Sequence, residues 1–233
     1  MKNEKSVVLF SGGLDSTTTL YWAKKTFQEV FAIMVNYSQR HSIETQMAQK
    51  IAKRLEIEAF RVELPLKNIV YSSLIDRDKQ IPDSLAESKN EAGIPHTYVP
   101  FRNGIFLSLA TAFAESRQIF NIVTGFNRID TPDYPDTTEA FTRKMEDAIN
   151  LGTSAAITGK RFKIFTPLIT KSKKEIIQWG LELGVDYSYS ISCYRGDEIP
   201  CLKCPSCDIR DNAFKQLNME DPLITRLKKE GKL

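Results

Sequence analysis

The segment Phe10-Ser-Gly-Gly-Leu-Asp-Ser-Thr17 constrains this chain more than any other feature. It follows Ser6 to Phe10, a short continuous apolar run of the kind a buried parallel strand shows. It precedes a stretch of helical spacing in which Leu20, Ala23 and Phe27 share one side. A glycine-rich turn between strand and helix gathers backbone N–H groups and the positive end of the helix dipole at one point, which makes a pyrophosphate cradle. Gly12 and Gly13 permit a tight turn and a close approach, and Ser11, Ser16 and Thr17 add hydroxyls. The loop lacks both the Gly-Lys-Ser/Thr ending of a Walker loop and the Gly-x-Gly-x-x-Gly of a dinucleotide fold, so no loop lysine reaches the phosphates. A plain Ser/Gly turn is the competing reading, and the strand-to-helix context argues against it.

The same alternation continues along the chain. Val30 to Val35 and Ala59 to Leu64 are strand-like, and Ile43, Met47, Ile51 and Leu55 form a stripe on a helix over Ser42 to Leu55. Residues 65 to 98 are irregular and predict a long excursion with some helix. Beyond them the pattern predicts a helix over Asn103 to Ser116 and a strand over Phe120 to Gly125. A Pro- and Asp-rich loop runs from Phe126 to Asp136, followed by a helix over Thr138 to Leu151, a strand over Phe162 to Thr166 and a helix over Lys173 to Leu183. Closing helices are expected over Asp208 to Leu217 and Asp221 to Lys229. Strands alternating with helices predict an α/β fold, a doubly wound parallel sheet covered on both faces. The expected division is a nucleotide-binding domain over 1–185 and a small zinc-bound C-terminal lobe over 186–233 packed on it.

All four cysteines of the 233 residues fall in that last segment, as Cys193-x7-Cys201-x2-Cys204-x2-Cys207. Four thiolates at such spacing suit one tetrahedral zinc, and a site closed by four ligands is structural. An iron–sulfur cluster takes the same four thiolates, but nothing else in the chain suggests electron transfer, which favours zinc. Composition excludes other classes. A hydrophobic fraction of 42% and a charged fraction of 26% do not fit a disordered or fibrous chain. Thirty-two basic against 29 acidic residues give a net charge of +3, too mild for nucleic-acid binding through bulk field. No apolar run approaches the roughly 18–20 residues of a membrane span, and Ser6 to Phe10 is too short for a signal peptide, so the expected location is the cytoplasm.

Several charged residues are candidates for the site. Asp15 could hold Mg²⁺ against ATP or cap the helix. Arg40 and His41 close the second strand, where phosphate recognition competes with a solvated strand end. His96 fits a loop histidine better than a base. Arg102, followed by Asn103, opens a helix where the dipole disfavours a cation, which points to an anionic ligand or a carboxylate partner. Asp130 and Asp136 lie in a strand-end loop and could accept paired N–H donors of a ligand, and Tyr134 could stack on a ring or simply pack the loop. Lys171 and Lys174 suit a solvated face.

The string Ser-Gly-Gly-Leu-Asp-Ser resembles the signature of the PP-loop, or N-type ATP pyrophosphatase, superfamily, whose fold is adenine nucleotide α-hydrolase-like. Further segments occur in the order of the 7-cyano-7-deazaguanine synthase family of queuosine biosynthesis: Asn36-Tyr-Ser-Gln-Arg-His41, Ile94 to Asn103, Asp130 to Asp136, Thr166-Pro-Leu168 with Lys173, Ser192-Cys-Tyr-Arg-Gly196 and the cysteines. The likeness runs from about Val7 to Leu233. Asn36, Ser38, Asp133, Thr137 and Thr138 depart from residues common in the family.

The resemblance implies an ATP-dependent ligase. It would convert 7-carboxy-7-deazaguanine and ammonia to the nitrile through an adenylated acid and an adenylated amide, releasing AMP and pyrophosphate. It also implies the cofactors Mg²⁺ and one structural zinc per chain, and a homodimer. Phe10, Ser11, Gly12, Gly13, Leu14, Asp15, Ser16, Thr17, Arg40 and Arg102 would bind the nucleotide. Ser11, Asp15 and Lys173 would serve catalysis, and Asn103, Asp130, Tyr134 and Asp136 would bind substrate. Another ammonia-dependent adenylating PP-loop enzyme and a PP-loop tRNA-modifying enzyme are the alternatives. A metal quartet that uses every cysteine weakens a thiolation role, and the near-neutral charge counts against RNA or a non-enzymatic zinc module.

Overall fold

Strands that are apolar on both faces must be covered on both faces, and this chain covers them by winding helices to either side of one sheet. The computed structural model describes residues 1, 3–37, 42–76, 81, 89–91, 93–127 and 133–233. In chain order its elements are β1 (Lys5–Leu9), α1 (Leu14–Thr26), β2 (Glu29–Asn36), α2 (Ser42–Arg54), β3 (Glu58–Glu63), α3 (Arg102–Ser116), β4 (Asn121–Val123), α4 (Glu139–Gly152), α5 (Ala155–Thr158), β5 (Lys163–Phe165), α6 (Lys173–Glu182), α7 (Pro205–Lys215) and α8 (Pro222–Lys229). The strand order is β3-β2-β1-β4-β5, and every pair is parallel. Val7 pairs with Phe31 on one side and Ile122 on the other, which makes β1 the centre of the sheet.

The period-2 alternation of β1 splits the core. Val7 faces Ile33, Leu107, Ala110, Ile122 and Ile164 under α3 and α4. Its neighbour Val8 faces Leu20, Ala23, Ala32, Ala48 and Ile51 under α1 and α2. The doubly wound sheet expected from the alternation is therefore present. Helix α1 begins six residues before Leu20, the first residue of its apolar stripe, because Leu14, Asp15 and Ser16 of the glycine loop are already helical. Helix α7 begins at Pro205, where the missing N–H costs nothing and φ suits a first helical turn. The four-residue α5 and the 3₁₀ turns at Leu66–Asn68, Pro135–Thr137 and Tyr187–Tyr189 are too short to leave a periodic signature. Among the described residues no helix is long and apolar enough to cross a membrane.

The C-terminal residues pack into the main body. Ala213 and Phe214 of α7 join Leu14, Leu168, Ile176 and Tyr187 in one buried cluster. At its rim lies a buried ion pair. Arg210, 5% exposed, gives Nε and Nη2 to the two carboxylate oxygens of Asp221, 7% exposed, at 2.6 and 2.8 Å. The same guanidinium donates to the Ser190 carbonyl (2.8 Å), the Ser190 hydroxyl (3.0 Å) and the Tyr187 carbonyl (3.3 Å). Asp221 also caps α8 by accepting from Leu223 N–H. Removing one partner of such a pair leaves a buried charge uncompensated, so Asp221→Ala is expected to cost about 3–5 kcal/mol. Thr138, which caps α4 by accepting from Phe141 N–H at 3.1 Å, gives the contrast: Thr138→Ala should cost about 1 kcal/mol. Urea denaturation of the two variants tests the ranking, and equal losses would refute it.

Candidate active site

At β1 the topology reverses: β2 lies on one side, and β4, reached much later in the chain, on the other. The crevice beyond the carboxyl ends of these strands is where doubly wound sheets bind ligands. It holds a cavity of about 340 Å³ lined from β1 by Phe10, Ser11, Gly13, Leu14, Asp15 and Ser16 and from β4 by Thr124 to Asn127. Two glycines bring the walls together. Gly12 has φ +84°, and a Cβ there would stand 2.9 Å from the Cβ of Ala48 on α2. A Cβ on Gly125 would stand 3.1 Å from Ser16 N.

The loop is held in shape by its own hydroxyls. Ser16 Oγ accepts from Ser11 N–H (3.3 Å), lies 3.1 Å from Ser11 Oγ and donates to the Gly13 carbonyl (3.1 Å). Thr17 donates to the same carbonyl at 2.8 Å and is fully buried, so it braces the loop from within and does not reach the cavity. The C-terminal segment completes the loop from outside. Ile191 N–H donates to the Gly12 carbonyl (3.1 Å), and Leu14 N–H donates to Ser192 Oγ (3.4 Å). Among the described residues no acceptor meets the amides of Asp15 and Ser16, which open the helix.

Two charge groupings lie in the cavity. Lys173, the first residue of α6, places Nζ 2.7 Å from both carboxylate oxygens of Asp15. Arg102, the first residue of α3, donates to the Tyr37 hydroxyl at 3.0 Å. Glu44 of α2 shares this end of the cavity with Tyr37, Phe106, Tyr134 and Tyr194. Burial pushes its carboxyl up to about 8 against the pull of the Arg102 guanidinium, and the Cys193 thiolate adds to the rise. Tyr134 lies 2.6 Å, oxygen to oxygen, from Thr97 and packs edge-on to Tyr98.

Not every expected residue reaches the wall. Asn103 lines the cavity, but Asp136 does not: it is 3% exposed and accepts from Asn103 N–H at 3.0 Å, satisfying the start of α3. Arg40, His41 and Asp130 lie outside the described residues. His96 offers its carbonyl to the Ser73 hydroxyl, in keeping with a loop role. Thr137 lines the cavity, whereas Asp133 pairs with Lys89 at 2.8 Å. Glu44, Tyr37, Ser192 and Tyr194 are cavity residues to which no role fell from sequence. For Glu44 the one available signal was its place just after the Asn36–His41 segment.

The four cysteines converge, with all sulfurs within 4.8 Å of one another and Cys201 and Cys207 4.0 Å apart. A tetrahedron with Zn–S bonds of about 2.3 Å has edges of about 3.8 Å, so the set fits a metal ion. The thiols cannot all ionise unaided. Hydrogen bonds from Cys204 and Cys207 hold Cys193 well below the usual thiol range, while the same contacts push Cys204 up to about 11 and Cys207 higher still. A divalent cation at the centre would remove that conflict.

The family described as queuosine biosynthesis protein QueC matches residues 5–218. A 7-cyano-7-deazaguanine synthase of Saccharophagus degradans is 40% identical over 225 residues, covering 95% of this chain and 98% of the relative. One from Clostridium kluyveri is 41% identical over 222 residues, covering 94% and 97%. A solved 4-thiouridine synthetase–RNA complex with bound ATP has a TM-score of 0.51 at 17% identity, covering 98% of this chain and 53% of that one, a likeness of fold.

The raised carboxyl of Glu44 carries a stability consequence. It stays protonated in the fold while the unfolded chain ionises above the ordinary 4.5, so its contribution is full below 4.5 and is lost as pH climbs towards about 8. Glu44→Gln should therefore raise the melting temperature more at pH 8 than at pH 5. A gain independent of pH in metal-loaded protein would contradict this.

Proposed function

The chain belongs to the QueC family of 7-cyano-7-deazaguanine synthases, and from that premise we propose how its residues divide the reaction. The activity is that of a carbon–nitrogen ligase. The carboxylate of 7-carboxy-7-deazaguanine attacks the α-phosphorus of ATP, forming the acyl-adenylate and releasing pyrophosphate. Ammonia displaces AMP and leaves the amide. The amide oxygen attacks the α-phosphorus of a second ATP and releases a second pyrophosphate, and loss of AMP and protons then gives the nitrile of this queuosine precursor.

The observation that supports this assignment most is the Asp15–Lys173 pair set in the cavity beside the opening turn of α1. The loop from Phe10 to Ser16 cradles the phosphates with its amides and the helix dipole, and Ser11 and Ser16 hold its shape. Lys173 neutralises charge on the phosphates as the α–β bond breaks. Asp15 keeps the lysine aimed until nucleotide enters and is the carboxylate suited to Mg²⁺, which when bound offsets phosphate charge. Arg102 serves the nucleotide or the acid from the opposite end. Catalysis is positioning and charge neutralisation, and no covalent enzyme intermediate is required.

The metal is proposed to be one structural zinc per chain on Cys193, Cys201, Cys204 and Cys207. In this proposal residues 186–233 act as an arm fastening the phosphate loop, and the enzyme works as a cytoplasmic homodimer on small molecules, without nucleic acid or membrane.

Asp15→Ala and Lys173→Met should each lower kcat/KM for AMP formation by about 10²–10³ while leaving the melting temperature near that of the parent, as for loss of one preorganised transition-state contact. Mass spectrometry of AMP released with ATP, ammonia and the acid reads this out, and near-parental rates would remove the pair from the mechanism. Cys204→Ser should lose the zinc and expose residues 190–210 to protease. A metal-free variant that resists protease and turns over normally would disprove the fastening role.

A further inference from the structure

The cavity wall carries two carboxylates among the described residues, Asp15 and Glu44. Asp15 is committed to Lys173 through both oxygens. Asp136 is off the cavity wall and buried, with one oxygen on the amide that opens α3 and the other without a hydrogen-bond partner among the described residues. Glu44 differs from both. Among the described residues no side chain gives it a hydrogen bond, and Arg102, the cation acting on it, spends an N–H on the Tyr37 hydroxyl. Its surroundings are flat and apolar: Tyr37 packs on Phe106 with ring centres 5.4 Å apart, and Leu74 and Tyr194 line the same wall. Such a slot suits a planar bicyclic ring with a polar edge.

We propose that Glu44 is the acceptor that reads the base, taking the ring N–H and the adjacent exocyclic amine of the 2-aminopyrimidinone edge on its two oxygens, while Arg102 stands beside it. This rests on the deazaguanine reading of the substrate. The carboxyl, which burial keeps protonated, gives up its proton as these two donors close on it beside Arg102, because hydrogen bonds and a nearby cation favour the ionised form. A carboxylate then fits that edge because two donors lie side by side there. It does not fit the adenine of ATP, which sets a single amine next to a ring acceptor, so one oxygen would face a lone pair. The cavity thus separates its two ligands by charge: the glycine loop, Lys173 and the α1 terminus take the phosphates, and Glu44, the carboxylate on the described wall that no described side chain hydrogen-bonds, takes the donor-rich base.

The test uses the full metal-loaded enzyme and follows AMP release with 7-carboxy-7-deazaguanine and with the analogue lacking the 2-amino group. The parent should discriminate against the analogue by about 100-fold or more in kcat/KM, as expected where a site built around a donor meets a ligand without it. Glu44→Gln should raise the KM for the acid about 100-fold, leave the KM for ATP nearly unchanged and erase most of the discrimination. Glu44→Asp, which keeps the charge, should retain the discrimination at reduced affinity. Melting temperature and zinc content confirm that both variants are folded. A Glu44→Gln enzyme that keeps its preference, or whose KM rises for ATP and not for the acid, overturns the assignment alone. A parent enzyme that releases no AMP with this acid overturns the functional reading and this assignment with it.

Discussion

Arg210 makes five hydrogen bonds from one buried guanidinium, and they join parts of the chain that would otherwise have no reason to stay together. It sits on α7, two turns after the cysteines begin that helix. Through Asp221 it fixes the start of α8, and through Tyr187 and Ser190 it fixes the segment that runs up to the glycine loop. Ile191 and Ser192, next in line, supply the loop with a donor and an acceptor. The next residue is Cys193. One ion pair thus lies between the cysteine cluster and the glycine loop and ties both to the same segment. A buried pair is a poor way to gain net stability, but it is intolerant of any other arrangement, and intolerance is what a loop assembled from distant segments requires.

The cavity shows a second regularity. Two of the three cations that line it among the described residues, Arg102 and Lys173, occupy the first position of a helix, where the dipole opposes positive charge. The chain accepts this twice within one cavity and offsets it with carboxylates, Asp15 against Lys173 and Asp136 near Arg102. Ser172 and Glu175 complete a capping box around Lys173, so the helix starts firmly despite its first residue. Local rules broken at one place and repaired by neighbours mark a site selected for something other than stability.

Much of this was legible in the sequence, for identifiable reasons. The sheet could be read because β1 and β2 are continuous apolar runs and helices such as α2 and α4 carry an apolar stripe, so local pattern and global fold agree. The cradle could be read because Gly12 and the residues around it need one another within eight positions. The cysteines announced themselves by crowding. What escaped was long-range. Thr17 looks like a ligand hydroxyl until the early start of α1 turns it inward. Asp136 looks like a base acceptor until its oxygen is found on the amide of Asn103. Glu44 was hidden because an acid in the first turn of a helix has an ordinary explanation, and only the arrival of Tyr37, Arg102 and Tyr194 from three other segments gives it another.

The bond from Leu14 N–H to Ser192 spans 178 residues. During synthesis the glycine loop emerges long before its outer brace. At roughly 5–20 residues per second the ribosome needs on the order of 10–35 s to deliver that brace. For that interval the growing chain carries the glycine loop without the contacts that Ile191 and Ser192 give it. The shape of the loop is thus completed by the sheet's first turn and a segment far along the chain together, so neither can set it before the other has been made.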